Sequence, residues 1–307
     1  MHTAAVTGAW SFLGRHVARE LLARGAQVVS LSSRTPPDPD PFQGSVQARP
    51  LRWDPAELTA SLAGTDTLYN TYWVRHDRPP IGHRGPWTSH GEAVRNSCML
   101  LDAAKAAGVQ RIVHVSITQP SADSHLTYFR GKAQVETHLR GTGLSHAILR
   151  PSCFFGGGDI LINNVAWAVR RLPFFPLPGP LDYRIRPMHV ADMAQAICNW
   201  GERQDSATRD ACGPDQYRFA DLVRYIGHTV AGREPRIPTL PTSVCLRLYQ
   251  AAGLLLGDTI LSRAELEGLS QDLLGSDEEP LGTTALSEWV ARRADTLGRE
   301  FHPEPPR

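Results

Sequence analysis

The first half of this chain alternates short apolar runs with longer stretches whose apolar residues recur at helical spacing. The runs at 3–7, 27–31 and 111–116 are typical of buried strands, whereas 14–24 and 90–107 are typical of amphipathic helices. Further strands are expected at 46–52, 67–72 and 145–150, and further helices at 55–62 and 126–140. Strands that alternate with helices in this way build a parallel sheet with helices on both faces. The pattern therefore predicts the α/β class, with a doubly wound parallel sheet.

Composition and net charge exclude several classes of protein for this chain. The chain has 307 residues, of which 41% are hydrophobic and 21% are charged, which suits a large core rather than a disordered chain. Its formal net charge of +1 argues against a nucleic acid as partner and against polybasic attachment to a membrane. The apolar runs are too short to cross a bilayer. We therefore expect neither a nucleic-acid nor a membrane partner.

The cysteines and lysines are few. The five cysteines lie far apart and form neither a Cys-x-x-Cys pair nor a zinc spacing, which predicts reduced thiols in a cytoplasmic protein.

The sequence opens on an apolar run with no charged segment before it, so no signal peptide is expected. Only Lys105 and Lys132 are lysines among the 32 basic residues, and an ammonium is not equivalent to a guanidinium in a binding site.

A glycine-containing loop, 7–14, connects the first predicted strand to the first predicted helix. Gly8 permits a tight turn and Gly14 lets the helix pack closely on the strand, while Ser11 stands where a third glycine is usual. Exposed N–H groups at the start of a helix attract phosphate. The loop predicts a Rossmann-type dinucleotide-binding domain, and the alternative is an ordinary tight connection. The expected pyrophosphate contacts are Gly8, Ser11, Phe12, Leu13 and Gly14.

The end of the second strand bears on which dinucleotide would bind. Domains that bind NAD usually carry an acidic residue there, which holds the ribose hydroxyls. This chain has Ser32, Ser33 and Arg34 instead, and their hydroxyl and guanidinium groups suit the 2′-phosphate of NADP. We therefore expect NADP(H) as cofactor, with NAD(H) as the alternative.

A tyrosine and a lysine lie four residues apart in one predicted helix. Tyr128 and Lys132 therefore share a helix face, and Ser116 precedes them at the carboxyl end of a strand, the edge at which α/β sheets bind ligands. With these residues the sequence resembles the short-chain dehydrogenase/reductase superfamily, in its extended or atypical branch of NAD-dependent epimerase/dehydratase-like proteins. The other segments that carry the resemblance are the glycine loop, Asn70–Tyr72, Asn96, His114–Ser116, Leu149–Pro151 with Gly156, and Arg186–Asp192.

The resemblance implies a role for each of these side chains. A tyrosine has a pKa near ~10, and a nearby ammonium lowers it towards neutrality. Lys132 is implied to do this and also to hold the nicotinamide ribose, so that Tyr128 gives a proton to a carbonyl oxygen as hydride arrives. Ser116 is implied to hydrogen-bond the same oxygen, with Thr118 as its substitute. Without the resemblance, the pair could equally be a surface feature of an amphipathic helix.

Matching positions in the family imply further contacts. The implied cofactor contacts are Trp53 and Asp54 at the adenine, Asn70, Thr71 and Tyr72 along the nicotinamide half, and Pro151, Ser152, Cys153 and Phe154 at the nicotinamide. We expect the loop 73–87 to cover the substrate, with Trp73, Arg75 and His76 as lining residues. The histidines His76, His83 and His90 match no tetrahedral metal pattern, and no metal is expected.

The sequence pattern changes after Pro151. It is typical first of loops rich in glycine and proline and then, from about Gly201, of helices. Helices are expected at 160–171, 220–231, 244–256 and 287–297. We predict a dinucleotide-binding domain over 1–155, joined by a strand and a helix from about 181–200. A smaller, mostly helical substrate lobe is expected over 156–307.

The expected function is the reduction of a carbonyl, or the oxidation of the matching alcohol, of a small organic substrate by an NADP(H)-dependent oxidoreductase. An epimerase or dehydratase that acts on a sugar nucleotide is one alternative. The segment 116–118 lacks the acidic pair common in such dehydratases, which disfavours dehydration. The other alternative is a dinucleotide-binding redox sensor or scaffold without turnover. A homodimer is a further expectation.

Overall fold

The structure, a computed structural model, describes residues 2–33, 35–77, 89–258 and 260–303. The chain forms two compact units, which are Met1–Arg150 with Met193–Asp210, and Pro151–Asp192 with Ala211–Arg307. The elements begin with β1 (Thr3–Thr7), α1 (Gly14–Ala23), β2 (Gln27–Ser32), β3 (Val46–Pro50), α2 (Pro55–Leu62), β4 (Thr67–Asn70), α3 (His90–Ala106), β5 (Arg111–Val115), α4 (Thr127–Gly141) and β6 (Ser145–Pro151). They continue with β7 (Phe154–Phe155), α5 (Leu161–Arg171), β8 (Leu177–Pro178), β9 (Arg184–Ile185), β10 (Met188–His189), α6 (Val190–Gly201), β11 (Ala207–Ala211), β12 (Tyr217–Arg218), α7 (Phe219–Ala231), β13 (Thr239–Leu240), α8 (Thr242–Leu256), α9 (Arg263–Ser270) and α10 (Leu286–Arg292).

The central sheet has seven strands in the order β11-β6-β5-β4-β1-β2-β3. Neighbours from β3 to β6 pair in parallel, and Val6 of β1 lies between Ser30 of β2 and Tyr69 of β4. The strand order reverses between β1 and β4, and the loops that follow two such strands diverge and leave a crevice at their carboxyl ends. This architecture confirms the predicted doubly wound Rossmann sheet and places the crevice beside the glycine loop.

One face of this sheet is covered by three helices. Their apolar stripes and the strands form a single core, in which every member is at most 3% exposed. Its side chains include Leu58 and Leu62 of α2, Leu100 and Leu101 of α3, and Val135 and Leu139 of α4. The stripes recur at the helical spacing that the sequence shows, so the helices turn their polar faces outward. Burial of this core orients α4, the helix that carries Tyr128 and Lys132.

A buried carboxylate connects α4 to the neighbouring strands. Glu136 is 1% exposed; it accepts two hydrogen bonds from Arg150, at 2.9 and 2.6 Å, and one from Arg140 at 2.9 Å. Its Oε1 also accepts a hydrogen bond from the hydroxyl of Ser116 at 2.6 Å. Although burial raises the pKa of Glu136, the bonds from Arg150 and Ser116 hold it below its ordinary value. Glu136 therefore remains a carboxylate and fixes the end of β5 against α4.

The second unit has its own core of helices and short strands. The inner faces of α5 and α7 meet in a cluster that includes Val165, Val169, Val223 and Ile226, and Trp289 of α10 packs against the same cluster. Within the described residues, no helix is long and apolar enough to cross a membrane.

The sequence located most of these elements. Up to β6, each predicted strand and helix is confirmed with its ends within two residues. The helix predicted at 287–297 is wrong at its C-terminal end, because α10 stops at Arg292. The strand β11 was not expected, since its sequence has no apolar run and its central residues are only half-buried at the sheet edge. The short strands β12 and β13 also interrupt the region, from about Gly201 onward, that was expected to be helical.

Replacement of Glu136 tests the network around α4. We expect Glu136→Leu to lower the free energy of unfolding by ~3 kcal/mol or more, because it leaves Arg150 beside a buried site without its carboxylate. Denaturant titration measures this change. Glu57→Leu is the control, because Glu57 pairs with Arg52 in solvent, and such pairs contribute less than ~1 kcal/mol. Equal losses in the two variants would contradict the structural role of Glu136.

Candidate functional site

The glycine loop has the close backbone approach that a phosphate site needs. Gly8 has a φ of +69°, and its N–H donates to Leu31 of β2 at 2.9 Å. A Cβ on Gly14 would lie 2.1 Å from the carbonyl oxygen of Gly8, so only glycine fits there. Within the described residues, the N–H groups of Phe12 and Leu13 meet no hydrogen-bond acceptor. These donors at the start of α1 suit a pyrophosphate.

Ser11 explains how the loop keeps its shape without a third glycine. Its backbone N–H donates to the carbonyl of Gly8 at 2.8 Å, and its hydroxyl accepts the N–H of Gly14 at 3.2 Å. The hydroxyl thus occupies one donor at the beginning of α1. The departure from the usual glycine pattern is therefore compatible with the fold of the loop.

The segment after β2 is tied to the glycine loop by a carboxylate that the sequence analysis missed. Asp40 accepts the indole N–H of Trp10 at 3.1 Å and the backbone N–H groups of Phe42 and Gly44. The bond from Gly44 is the largest influence that holds the pKa of Asp40 below its ordinary value. Because these donors occupy its oxygens, Asp40 acts as a loop anchor.

The residues expected to contact the adenosine half of the cofactor lie in different surroundings. Ser32 is half-buried and Ser33 exposed at the end of β2, whereas Arg34 lies outside the described residues. Asp54 uses its carboxylate to cap α2, accepting the N–H groups of the second and third helical residues at 2.9 and 3.0 Å. Trp53 packs on Tyr72 with ring centroids 4.7 Å apart. The contacts of Trp53 and Asp54 with adenine stay predictions.

The ends of β1, β4 and β5 are joined by hydrogen bonds. Thr71 donates from its backbone N–H to the hydroxyl of Thr7 at 2.7 Å and from its own hydroxyl to the Thr7 carbonyl at 2.6 Å. Asn70 accepts the N–H of Tyr72 at 3.1 Å, so its amide N–H donates to Nδ1 of His114, also at 3.1 Å. This bond leaves the imidazole proton on Nε2. The polar side chains of these strand ends thus have defined positions.

His114 is uncharged in this setting. It is fully buried on β5, and burial, followed by the charge of Lys132, lowers its pKa well below the ordinary value. Within the described residues its Nε2 has no hydrogen-bond partner. Its role is to hold β4 and β5 in register at the site, through Asn70.

Lys132 is a buried basic group of the site. It is 2% exposed, its Nζ donates to the carbonyl of Val115 at 2.8 Å, and the ammonium lies 4.3 Å from the ring centroid of Trp73. Burial lowers the pKa of Lys132 to about 7, although Glu136 acts in the opposite direction. The lysine on α4 therefore reaches the end of β5, as the pairing with Ser116 had suggested.

Tyr128 lies one turn before Lys132 on α4 and is half-buried. Its ring meets Trp73 edge to face at a centroid distance of 5.8 Å, and it meets His90 in the same way at 5.3 Å. Trp73 thus contacts both members of the pair. The structure brings Tyr128, Lys132 and one predicted substrate residue, Trp73, into a single cluster.

The Ser116 hydroxyl, expected to meet the carbonyl oxygen of a substrate, instead contacts a carboxylate of the protein. It donates to Glu136 at 2.6 Å, and the Ser116 backbone N–H donates to Leu149 at 2.8 Å, which holds the residue within the sheet. Thr118, named as its substitute, is fully buried two residues later. The Ser116 hydroxyl is therefore engaged by Glu136, and the contact of Ser116 or Thr118 with a carbonyl oxygen stays a prediction.

A second polar group supports the aromatic cluster and was not found from the sequence. Asp77 accepts the backbone N–H of His90 at the start of α3 and the hydroxyl of Thr127 at the start of α4, the latter at 3.2 Å. His90 also contacts the Thr127 hydroxyl through Nδ1 at 2.8 Å and stacks on Trp73. The loop after β4 is thereby attached to both helices. No sequence pattern links these positions, since they meet only in the tertiary structure.

The remaining predicted residues lie in two places. Arg75 and His76 follow Trp73 and are half-buried and buried, respectively; the rest of the expected lid, including His83, lies outside the described residues. Pro151–Phe154 belong to the second unit, in which Ser152 donates to the Arg186 carbonyl at 2.6 Å. Burial raises the pKa of the Cys153 thiol to about 12. Within the described residues, no three histidine, cysteine or acidic side chains could hold a metal together.

Comparison with known proteins bears on this site. Residues 8–159 match a family model described as NAD(P)H-binding. Over 247 residues the chain is 26% identical to NADH dehydrogenase (ubiquinone) 1 alpha subcomplex subunit 9, mitochondrial, of Arabidopsis thaliana. The match covers 78% of this chain, which spans 60% of the length of that relative.

Solved structures have a similar fold over most of the chain. Citrobacter sp. triphenylmethane reductase complexed with NADP(H) superposes with a TM-score of 0.75 at 17% identity, covering 95% of this chain and 99% of that one. Escherichia coli NADPH-dependent quinone oxidoreductase complexed with NADPH gives a TM-score of 0.71 at 21% identity, covering 94% and 99%. Residues 8–159 therefore match an NAD(P)H-binding domain, and the chain has a Rossmann-type fold similar to that of these NADP(H)-binding reductases.

Proposed function

We propose that this protein is an NADP(H)-dependent oxidoreductase that reduces a carbonyl, or oxidises the matching alcohol, of a small organic substrate. The observation that carries the proposal is the pair on α4, with Tyr128 one turn before a lysine whose buried ammonium lies at the end of β5. A phenol and an ammonium in this arrangement can move a proton near neutral pH. The pair also lies on the edge of the sheet that a Rossmann fold uses for ligands.

The chain's own residues fit a dinucleotide. The cradle between Gly8 and Gly14 has no room for a Cβ, and the N–H groups of Phe12 and Leu13 are available to a pyrophosphate. Lys132 would hold the nicotinamide ribose with the hydrogen bonds that its ammonium does not give to Val115. When bound, the cofactor supplies hydride to the carbonyl carbon.

Proton transfer completes the reduction. As the carbonyl carbon gains hydride, its oxygen takes the proton of the Tyr128 hydroxyl, so that the product is an alcohol and the tyrosine becomes a phenolate. The ammonium of Lys132 stabilises that phenolate by its charge. Thr118 is proposed to donate a hydrogen bond to the same oxygen, because Ser116 already donates to Glu136. Solvent then restores the proton of Tyr128.

The shape of the cluster favours a flat carbonyl compound. Trp73, His90 and Tyr128 present aromatic faces and edges within 6.2 Å of one another, measured between centroids. Aromatic surfaces of this kind bind planar apolar molecules. Quinone-type substrates fit this description, and one structural neighbour is a quinone oxidoreductase. An epimerase or dehydratase stays the enzymatic alternative, with Ile117 and Thr118 where an acidic pair would favour dehydration.

A specific contact favours a second candidate function, a dinucleotide-binding subunit without turnover. The indole of Trp73 lies over the ammonium of Lys132, with 4.3 Å between Nζ and the ring centroid, and so takes up part of the space beside the group proposed to hold the ribose. The curated relative is, by its name, a subunit of a larger complex. Under this candidate the dinucleotide stabilises the fold and a partner protein replaces the substrate. A cytoplasmic location and a homodimer stay predictions under either candidate.

Tyr128→Phe separates the two candidates. We expect the variant to reduce turnover of quinones and aromatic ketones by ~100-fold to ~10,000-fold, because it lacks the proton that the product oxygen needs. NADPH consumption under saturating substrate measures this loss, and calorimetry should show unchanged NADPH affinity. The control is Tyr225→Phe, which removes a hydroxyl that donates only within the second unit. Full turnover by Tyr128→Phe would contradict the proposed mechanism. Tight NADPH binding by a wild-type protein that shows no turnover would favour the second candidate, a dinucleotide-binding subunit.

Lys132→Met tests the cost of the buried ammonium. Below pH ~7 the lysine is charged in both the folded and the unfolded chain, so its desolvation lowers stability in full. Between pH ~7 and ~10.5 only the unfolded chain holds the proton, and the cost disappears as pH rises. We therefore expect the methionine variant to be more stable than wild type at pH 6 in the absence of cofactor, with a gain that shrinks towards pH ~10.

The chain offers a matched control for this measurement. Lys105 is exposed on α3 and donates to the carbonyl of Thr142. Lys105→Met should show no such pH-dependent gain in thermal unfolding, and it should bind NADPH as wild type does. Lys132→Met should lose most NADPH affinity. A destabilised Lys132→Met protein at pH 6 would contradict the buried charge.

The preference for NADP(H) can be measured directly. We expect calorimetry to show tighter binding of NADPH than of NADH, because the segment Ser32-Ser33-Arg34 offers hydroxyls and a cation instead of a carboxylate. Arg34→Ala should weaken NADPH binding by about tenfold or more and leave NADH nearly unchanged. Arg52→Ala serves as the control, since Arg52 is exposed and pairs with Glu57. Tighter NADH binding by wild type would overturn the assignment.

A further inference from the structure

Helix α8 of the second unit carries large apolar side chains in solvent. Leu254 and Leu255 are 87% and 89% exposed, while Leu248 and Val244 are 45% and 38% exposed. Isolated apolar residues are normal on protein surfaces, but neighbouring leucines exposed to this degree on one helix are not.

These side chains share one side of the helix. At 100° per residue, Val244, Leu248, Ala251, Leu254 and Leu255 fall within about a third of the circumference. The opposite side faces the second unit, where Cys245, Leu246 and Gly253 are buried and the Tyr249 hydroxyl donates to the Pro176 carbonyl. The helix is thus apolar on both sides. A helix of that kind is normally covered on both sides, and among the described residues none covers the outward side.

The charge on the outward side indicates what covers it. Arg247 is the single charged residue within Thr242–Leu256, and it lies among the outward residues, between Val244 and Leu254 around the helix. With no carboxylate in α8, a negatively charged surface meets no repulsion from the helix. Arginine can bury its aliphatic stem among apolar neighbours while its guanidinium reaches a phosphate.

The size of the patch bears on the choice between a protein and a lipid surface. A standard protein interface engages roughly 20–30 residues on each side, far more than one face of a 15-residue helix supplies. A lipid surface needs less, because a helix that lies in the plane of a bilayer inserts one apolar face ~5–10 Å into the boundary between headgroups and acyl chains. At ~1.5 Å per residue, α8 is too short to span a bilayer and suits this position.

We propose that the outward side of α8 docks this protein on the surface of an anionic lipid bilayer. Leu254 and Leu255 enter the acyl boundary, Val244 and Leu248 extend the contact along the helix, and Arg247 binds lipid phosphate. The protein is then peripheral rather than spanning. This surface departs from the expectation, drawn from composition alone, that the chain has no membrane partner.

Sedimentation of the full-length chain with lipid vesicles tests the proposal. Wild type should bind vesicles of phosphatidylcholine and phosphatidylglycerol more tightly than vesicles of phosphatidylcholine alone, and high salt should weaken the binding. The double variant Leu254→Asp/Leu255→Asp should lose at least about tenfold in affinity for each leucine. Arg247→Glu should lose most of the preference for anionic vesicles, about fivefold or more.

Matched variants and readouts keep the outcome unambiguous. Gln134→Asp/Thr137→Asp adds the same charge on the exposed side of α4 in the first unit and should bind vesicles as wild type does, apart from a small electrostatic loss. Thermal unfolding and NADPH binding should be unchanged in Leu254→Asp/Leu255→Asp, because both leucines are nearly fully exposed. Retained NADPH binding also separates this test from the proposed function.

Three results would overturn the proposal. Wild type that remains in the supernatant with anionic vesicles has no such surface. Equal vesicle binding by wild type and Leu254→Asp/Leu255→Asp would place the lipid contact elsewhere. A dimer of wild type that becomes a monomer in the same variant, by light scattering and without vesicle binding, would assign the patch to a second copy of this chain.

Discussion

The burial of one ammonium group is the constraint on which the candidate site depends. Lys132 is 2% exposed; its ammonium donates to a backbone carbonyl and lies over the face of an indole, and the charge of Glu136 also favours its charged form. Loss of solvent disfavours the charged form and lowers the pKa of Lys132 to about 7. A ligand that brings hydroxyl groups to this ammonium would replace hydrogen bonds lost with water. The charged lysine is thus unfavourable in the protein without a ligand.

The surrounding network decides which side chains remain for chemistry. Glu136 pairs with Arg150 on β6 and accepts a hydrogen bond from the Ser116 hydroxyl. The Ser116 side chain therefore helps to hold the end of β5 against α4. Asp77 attaches the loop that bears Trp73 to the first turns of α3 and α4. Trp73 then lies against both Tyr128 and Lys132. The contacts that hold Trp73 in place therefore also fix its position against Tyr128 and Lys132.

Sequence reasoning located the elements well because the signals are local. Apolar periodicity identified each strand and helix up to β6, and the glycine spacing identified the cofactor loop, which the NAD(P)H-binding match supports. Tyr128 and Lys132 were found because a spacing of four residues places them on one helix face. Glu136 continues that face by another turn, and a charged residue on a buried stripe was a signal that went unused. The Asp77 contact with His90 and Thr127 had no local signal at all.

The sequence by itself determined the fold class and the placement of Tyr128 and Lys132 on one helix face, and it predicted the cofactor loop, because each follows from spacing within one or two elements. Only the tertiary structure decided that Lys132 is buried, that the Ser116 hydroxyl donates to Glu136, and that α8 exposes its leucines. Burial and hydrogen-bond partners depend on residues that are distant in the chain and adjacent in space. The sequence of an apolar helix does not show whether its second side is covered or open, and in the part of the chain that the structure describes this side of α8 is open.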